Sequence, residues 1–220
     1  MAVVGIIPAA GRGERLGGPL PKAFVACGGR PLLEWGLEAL EAVCDRVVVA
    51  VPPGYEQGDD RVRGADSRSA SVRAALGAAP EATVAVVHDA ARPLVDAELV
   101  RRCVRALDGG ASGAVAASPM TDTVKEAAAD GRIVRTLERT SLWRIQTPQA
   151  FAAAELRHAL DVPDAVLAAA TDDASLVEAC GGVVCVVEAP AGNLKVTGPE
   201  DLEVAEIILR RRGRAPSAAC

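Results

Sequence analysis

The sequence predicts an α/β fold, with a Rossmann-like, mostly parallel sheet flanked by helices and a protruding β-hairpin arm. Two observations carry this prediction. Short apolar runs typical of buried strands alternate with segments whose apolar residues recur at helical spacing, which is the pattern of βαβ units. One polar stretch, residues 122–151, breaks the alternation and has the two-sided polar pattern of an exposed hairpin.

Five apolar runs are predicted as buried strands, at residues 3–7, 46–51, 83–87, 112–117 and 183–187. The first predicted helix follows Pro31, because Leu33, Leu37 and Leu40 recur at spacings of four and three and so share one face. Asp96 is predicted to cap a second helix that carries Leu99, Cys103 and Leu107 on one face.

Two later helices are predicted from their ends. Thr171 is expected to cap a helix that stops at Gly181-Gly182, with two aspartates in its first turn. The last helix is expected to open on a capping box, Thr197 to Glu200, with Pro199 in its first turn.

The hairpin arm is placed at about residues 122–151, with a turn at Asp130-Gly131. The rest of the chain is expected to form one domain over residues 1–212, followed by a flexible tail over residues 213–220. No fused downstream domain is expected.

Composition excludes several classes of function. The 220 residues carry a formal net charge of −5 and only 2% aromatic residues, which argues against a nucleic-acid partner. Six scattered cysteines without a C-x-x-C pair, beside two histidines, give neither a zinc site nor a disulfide framework. No signal sequence and no long apolar run is present, so we expect a cytoplasmic protein with no membrane partner.

The loop after the first strand, "PAAGRGERLGGPLPKAF" at residues 8–24, predicts an anion site. It is not a Walker A loop, because Lys22 follows proline and precedes alanine, and a dinucleotide fingerprint lacks its acidic residue after the second strand. The remaining functional interpretation is a nucleoside triphosphate held by backbone N–H groups at Gly11 and Gly13, with Arg15 and Lys22 on its phosphates. A glycine-rich turn with solvated cations is the alternative.

Three further stretches carry polar residues near predicted sheet edges. "VVHDAARPLV" places Asp89 and Arg92 after the third strand, where an aspartate can bind Mg²⁺, orient cations or cap a turn. "GADSRSASV" is a polar loop that opens a helix at Ser69 or Ser71 and can offer hydrogen bonds to a base. "NLKVTGPED" holds Lys195, which by itself is most simply a surface lysine.

Taken together, these stretches resemble the 2-C-methyl-D-erythritol 4-phosphate cytidylyltransferases, a family of the non-mevalonate isoprenoid pathway. The resemblance rests on "PAAGRGERLG…PK", "GADSRSASV", "HDAARP", "DTVK", "TPQAF", "TDDAS" and "NLKVTGPED", in that order, and covers residues 3 to about 209. It implies transfer of CMP from CTP to methylerythritol phosphate, in which the substrate phosphate attacks the α-phosphorus in line and pyrophosphate leaves.

The resemblance also implies roles for individual residues. Arg15, Lys22 and Lys195 are implied to be catalytic, as cations on the reacting phosphates. The residues implied to hold CTP are Ala9, Ala10, Gly11, Gly13, Ala65, Asp66, Ser71 and Asp89. The acceptor pocket would draw on Arg92, Thr123, Arg139 and Thr147, and the arm would reach across a homodimer so that Thr123 and Arg139 serve the partner's site. Mg²⁺ would be held mainly by the CTP phosphates, with Asp89 a possible ligand.

Alternatives remain open at this point. A ribitol-5-phosphate cytidylyltransferase would share the loop and "HDAARP" and differ in its acceptor pocket. Sugar-1-phosphate nucleotidyltransferases and a non-catalytic nucleotide sensor are more distant alternatives. Two departures from the family pattern are Ala65, where glycine is common, and Ala191-Gly192, where an acidic residue often precedes the asparagine.

Overall fold

A seven-stranded sheet forms the centre of the computed structural model, which describes residues 1–11, 13, 16 and 20–214. The strands are β1 (Val3–Pro8), β2 (Ala26–Cys27), β3 (Arg30–Pro31), β4 (Arg46–Val51), β5 (Arg61–Arg63), β6 (Val84–Val87), β7 (Gly113–Pro119), β8 (Lys125–Ala127), β9 (Ile133–Thr136), β10 (Trp143–Ala152) and β11 (Val184–Glu188). The helices are α1 (Leu32–Glu41), α2 (Arg68–Gly77), α3 (Ala97–Arg105), α4 (Ala153–Leu160), α5 (Asp164–Ala169), α6 (Asp173–Ala179) and α7 (Pro199–Arg214).

The order of strands in the main sheet is β11-β7-β10-β6-β1-β4-β5. Strand β1 lies parallel to both β4 and β6, so the chain moves to one side of β1 first and to the other side later. In open α/β sheets such a reversal leaves a crevice at the carboxyl ends of the strands, where ligands bind. The topology therefore places a candidate site at the end of β1 and β6.

Helices cover both faces of the sheet. Ile6 packs in the apolar cluster of α2, α4 and α6, whereas its neighbour Ile7 packs with Leu40 of α1 and Leu99 of α3. This alternation follows from the strand geometry, which points successive side chains to opposite faces. A smaller cluster under α7 holds its Leu209 against Leu32.

The α/β class predicted from the sequence is confirmed, and one element of it is corrected. Residues from Trp143 onward do not belong to an arm, since β10 pairs antiparallel with β6 and β7 inside the main sheet. The predicted range of 122–151 was therefore too wide. The paired strands of the hairpin are β8 and β9, which form a separate two-stranded sheet with Gly131 at a positive φ of 83° in its turn.

Two predicted helix starts shift, and at a third helix the capping carboxylate differs from the prediction. The cap of α6 is Asp172 rather than Thr171, because its carboxylate accepts the N–H of Ser175 at 2.9 Å. Helix α2 starts at Arg68 behind Ser67, not at Ser69 or Ser71. The predicted capping carboxylate of α7 was Glu200. The carboxylate that accepts the N–H groups of Thr197 and Gly198 is instead that of Asp201.

The predicted tail lies largely outside the described residues, which end at Arg214 inside α7. Within the described part of the chain, none of the helices has the length and apolar character needed to span a membrane.

Candidate active site

An open cleft of about 950 Å³ lies at the carboxyl ends of β1, β4 and β6. Its lining includes ten of the residues named from the sequence, namely Ala9, Ala10, Gly11, Gly13, Lys22, Ala65, Asp66, Ser71, Asp89 and Lys195. These come from four separate segments of the chain. Residues more than 180 positions apart therefore meet at the crevice that the sheet topology predicts.

One wall of the cleft is the loop that follows β1. The N–H of Ala9 donates to the carbonyl of Ala50 at 2.7 Å, which continues the sheet pairing past the last strand residue. Gly13 has a φ of 70°, and a Cβ atom built there would lie 2.4 Å from the Cβ of Lys22. The glycine thus lets the loop pack against Lys22 and fix where that side chain starts. The predicted phosphate contact Arg15 and the neighbouring Arg12 lie outside the described residues.

The opposite wall is the loop between β5 and α2. A Cβ atom at Gly64 would lie 2.3 Å from that of Ala10, so the two walls touch at their base and glycine is needed there. The hydroxyl of the buried Ser71 accepts the N–H of Ala65 at 3.0 Å and lies 2.9 Å from the carbonyl oxygen of Ser67. Ser71 therefore holds the loop in shape, while Ala65 and Asp66 are exposed at its surface.

Asp89 lies between two cations at the floor of the cleft. Lys195 Nζ is 2.8 Å from its Oδ2, and Arg68 Nε is 2.9 Å from its Oδ1. Burial acts to raise the pKa of Asp89, but the charges of Arg68 and Lys195 outweigh it and hold the pKa well below its usual range. Asp89 is thus ionised and keeps Lys195, whose side chain is 44% exposed, at the open side of the cleft.

Arg68 was not assigned a role from the sequence, although it lines the cleft. Its NH1 lies 2.6 Å from Oδ2 of the fully buried Asp173 in α6. Burial acts to lower the pKa of Arg68, but Asp89 and Asp173 raise it above its ordinary value. Arg68 and Asp173 lie in "GADSRSASV" and "TDDAS", two stretches that carry the family resemblance. That position was the one signal in the sequence that pointed to them.

A hydrogen-bonded chain behind the cleft fixes the backbone at Asp89. Its N–H donates to Thr147 Oγ1 at 3.0 Å, and that hydroxyl lies 3.1 Å from His88 Nδ1. His88 Nε2 lies 3.2 Å from the carbonyl of Arg92, which can only accept, so Nε2 carries the proton and Nδ1 accepts from Thr147. Complete burial lowers the pKa of His88 to about 4, which matches a neutral ring.

The four residues predicted for the acceptor pocket separate into two groups. Arg92 and Thr147 lie next to Asp89, and Arg92 donates from NH1 to the carbonyl of Asn193 at 2.7 Å. Burial lowers the pKa of Arg92. Thr123 and Arg139 are exposed on the arm segment, where Arg139 NH1 donates to the carbonyl of Thr121. None of the four residues is in the lining of the cleft, and Thr147 is buried.

The described side chains fit a metal that is bound chiefly by a ligand. Among the residues that the structure describes, no group of three or more histidine, cysteine, aspartate or glutamate side chains could hold a metal ion. Asp89 is one carboxylate at the cleft, and each of its oxygens already faces a cation. Mg²⁺ keeps several waters and commonly uses only one or two carboxylates beside substrate phosphates, so phosphate oxygens would supply most of its ligands here.

Comparisons with known proteins show the family to which the chain belongs. The model of the family IspD, 2-C-methyl-D-erythritol 4-phosphate cytidylyltransferase, matches residues 3–211. The chain is 43% identical to the enzyme of that name from Frankia casuarinae, over 98% of this chain and 84% of the relative. It is also 43% identical to the one from Nocardia farcinica, over 96% and 95% of the two chains.

A solved structure shows the same fold. The crystal structure of 2-C-methyl-D-erythritol 4-phosphate cytidylyltransferase from Thermus thermophilus aligns with a TM-score of 0.81 at 38% identity, over 96% of this chain and 100% of that one. The family match spans both walls and the floor of the cleft, from Ala9 to Lys195. The chain therefore belongs to the IspD family of 2-C-methyl-D-erythritol 4-phosphate cytidylyltransferases.

Proposed function

We propose that this cleft holds CTP and that Lys22 and Lys195, which both line it, carry the transfer reaction of the family. The enzyme transfers CMP from CTP to 2-C-methyl-D-erythritol 4-phosphate, giving 4-diphosphocytidyl-2-C-methyl-D-erythritol and pyrophosphate for isoprenoid biosynthesis. One observation carries the assignment to this cleft. Lys22 and Lys195 line the same cleft as the loop after β1, which holds Gly11 and Gly13, and the loop between β5 and α2, which holds Ala65 and Asp66.

The proposed placement of CTP follows the two walls. The triphosphate is placed against the backbone of Ala10, Gly11 and Gly13, where the positive φ of Gly13 suits an anion nest. The cytosine lies against the loop at Ala65 and Asp66, which Ser71 braces. In this placement Asp89 lies between the triphosphate and the cytosine, and its ion pair holds Lys195 near the phosphates.

The proposed chemistry needs charge placement and no protein nucleophile. An oxygen of the acceptor phosphate dianion forms a bond to the α-phosphorus while the bond to the bridging oxygen breaks, and pyrophosphate leaves with that electron pair. Among the described residues that line the cleft there is no histidine or cysteine. Lys22, Lys195 and Arg15 would neutralise the charge that develops on the phosphate oxygens.

The acceptor is proposed to lie beside Asp89, within reach of Arg92 and Thr147. Thr123 and Arg139 would complete the pocket from the arm of a second subunit in a homodimer. The support for this arrangement is the exposure of both residues on the arm and of Ile133 and Val134 on β9, which are 58% and 56% exposed. Mg²⁺ on the CTP phosphates and a cytoplasmic location complete the proposal.

The choice of acceptor is tested by pyrophosphate release from CTP with each of two polyol phosphates. We expect rapid release with methylerythritol phosphate and release at least about 100-fold slower with ribitol 5-phosphate, because an acceptor pocket that is matched to one polyol leaves polar groups unpaired with the other. Chelation of divalent cations is expected to stop release and added Mg²⁺ to restore it. Preference for ribitol 5-phosphate would show that the acceptor pocket has been assigned wrongly.

A further inference from the structure

Four side chains of alternating charge form a row from the buried start of α6 to the open side of the cleft. Asp173 Oδ2 lies 2.6 Å from Arg68 NH1, and Arg68 Nε lies 2.9 Å from Asp89 Oδ1. Asp89 Oδ2 lies 2.8 Å from Lys195 Nζ. The side chain at the buried end of the row, Asp173, is 0% exposed, and the side chain at the cleft end, Lys195, is 44% exposed.

Asp173 is the member of the row that touches no cleft surface. It does not line the cleft, and its Oδ1 has no hydrogen-bond partner among the described residues. A carboxylate buried in this way costs several kcal/mol of desolvation, which its partner must offset. Helix α6 also packs through Ala174, Leu176 and Val177 in the apolar cluster, so it has apolar contacts besides this charge. The carboxylate therefore has a purpose other than packing.

That purpose lies in the shape of the arginine. A guanidinium presents its N–H donors in a rigid planar fork, so two carboxylates at different edges fix both its position and its rotation. In this enzyme the Nε edge faces Asp89 and the NH1 group faces Asp173. With Asp173 uncharged, the same fork is free to turn and bind both oxygens of Asp89, one of which now holds Lys195.

We propose that Asp173 is a positioning residue for CMP transfer, acting through Arg68 and Asp89 to set where the Lys195 ammonium lies. The row carries two negative and two positive charges, and Asp89 pairs with Arg68 at one oxygen and with Lys195 at the other, while Arg92 Nε lies further away, 3.9 Å from Oδ2. When the Asp173 charge is removed, Arg68 can bind both oxygens of Asp89. Lys195 then loses part of its ion pair with Asp89 and is held less firmly. The inference rests on the proposed role of Lys195 at the reacting phosphates.

The test compares Asp173→Asn, Arg68→Gln and the double variant in the full-length enzyme, by steady-state kinetics and by equilibrium binding of CTP. Asp173→Asn is expected to lower kcat about 10- to 100-fold while the Kd for CTP changes less than about threefold, because a loosened Lys195 weakens the transition state more than the ground state. The double variant is expected to be no slower than Arg68→Gln alone, since Asp173 acts only through Arg68.

A matched control exists on the same helix. Arg73 of α2 pairs with Asp164 of α5, whose side chain is 81% exposed, so Asp164→Asn breaks an aspartate–arginine contact of α2 away from the cleft. It is expected to keep wild-type kcat. Arg68→Lys provides a second variant if Asp173→Asn does not fold, because a lysine ammonium keeps the charge and lacks the fork that bridges two carboxylates. It is expected to lose kcat as Asp173→Asn does.

The outcomes separate this inference from the proposed function. Wild-type kcat in a folded Asp173→Asn or in Arg68→Lys would overturn the inference, and so would additive losses in the double variant. Lys195→Ala is measured alongside. If Lys195→Ala is slow and Asp173→Asn is not, only the positioning role fails; if Lys195→Ala is itself unaffected, the proposed role of Lys195 fails with it.

Discussion

Replacing Lys22 or Lys195 with alanine is expected to lower kcat about 100- to 1,000-fold, the loss seen when one donor that stabilises a developing oxyanion is removed. Each lysine lines the cleft, and Lys195 is held there by Asp89 at 2.8 Å. Because the added charge of the transition state is what these cations neutralise, the Kd for CTP is expected to rise much less than kcat falls. Rapid-quench measurement of pyrophosphate release, with CTP binding followed separately, distinguishes the two effects.

A suitable control removes a cation elsewhere. Arg105 lies at the end of α3 in an exposed pair with Glu98, and Arg105→Ala is expected to leave both kcat and the Kd for CTP unchanged. Near wild-type turnover in Lys22→Ala or Lys195→Ala, with CTP still bound, would contradict the role of that lysine.

Replacing Asp89 with asparagine is expected to cost about 3 kcal/mol of stability, the lower end of the range for breaking a buried ion pair, because Arg68 keeps Asp173. For a chain of this length that corresponds to a fall in Tm of about 6 to 12 °C. Turnover is expected to fall as well, since Lys195 loses the carboxylate that places it. Thermal unfolding monitored by circular dichroism measures the first effect.

The loss of stability in Asp89→Asn should depend on pH in a defined direction. Because the folded enzyme holds the pKa of Asp89 below its ordinary value of about 3.9, the carboxylate stabilises the fold above that pH. Its contribution is lost as the pH falls from there towards the lowered pKa, so the difference in Tm between wild type and Asp89→Asn should stay constant from pH 7 to about pH 4 and shrink by pH 3. Asp60→Asn, at a half-exposed pair with Arg46, should show a difference below about 1 kcal/mol at pH 7. A constant deficit for Asp89→Asn across this range would contradict the ionised buried pair.

Strands β1, β4, β6 and β7 were predictable because they are buried on both faces and appear as continuous apolar runs. Strand β10 was not, because it lies antiparallel beside β6 and β7 and its first residues, from Trp143 to Ile145, are exposed and polar in pattern. The sequence at the start of β10 therefore resembles that of the hairpin formed by β8 and β9. The shift of one cap from Thr171 to Asp172 has a similar origin, since adjacent residues of equal capping ability differ only in backbone conformation.

The candidate site was predictable where a residue follows a strand directly. Gly11 and Gly13 after β1 and Asp89 after β6 fall at the sheet edge by topology alone. Arg68 and Asp173 could not be found in this way, because they are 105 residues apart and their ion pair depends on how α6 packs beside α2. The spacing of Arg68 and Asp173 along the chain does not predict that contact.

In the proposed mechanism, charge placement accomplishes the transfer in one step, without a protein nucleophile. The most direct measurement uses CTP with a single sulfur at the α-phosphorus, as one diastereomer, with methylerythritol phosphate as acceptor, and determines the configuration of the product. One in-line displacement predicts inversion at phosphorus. Retention would require two displacements through a nucleotidyl-enzyme intermediate and would contradict the account.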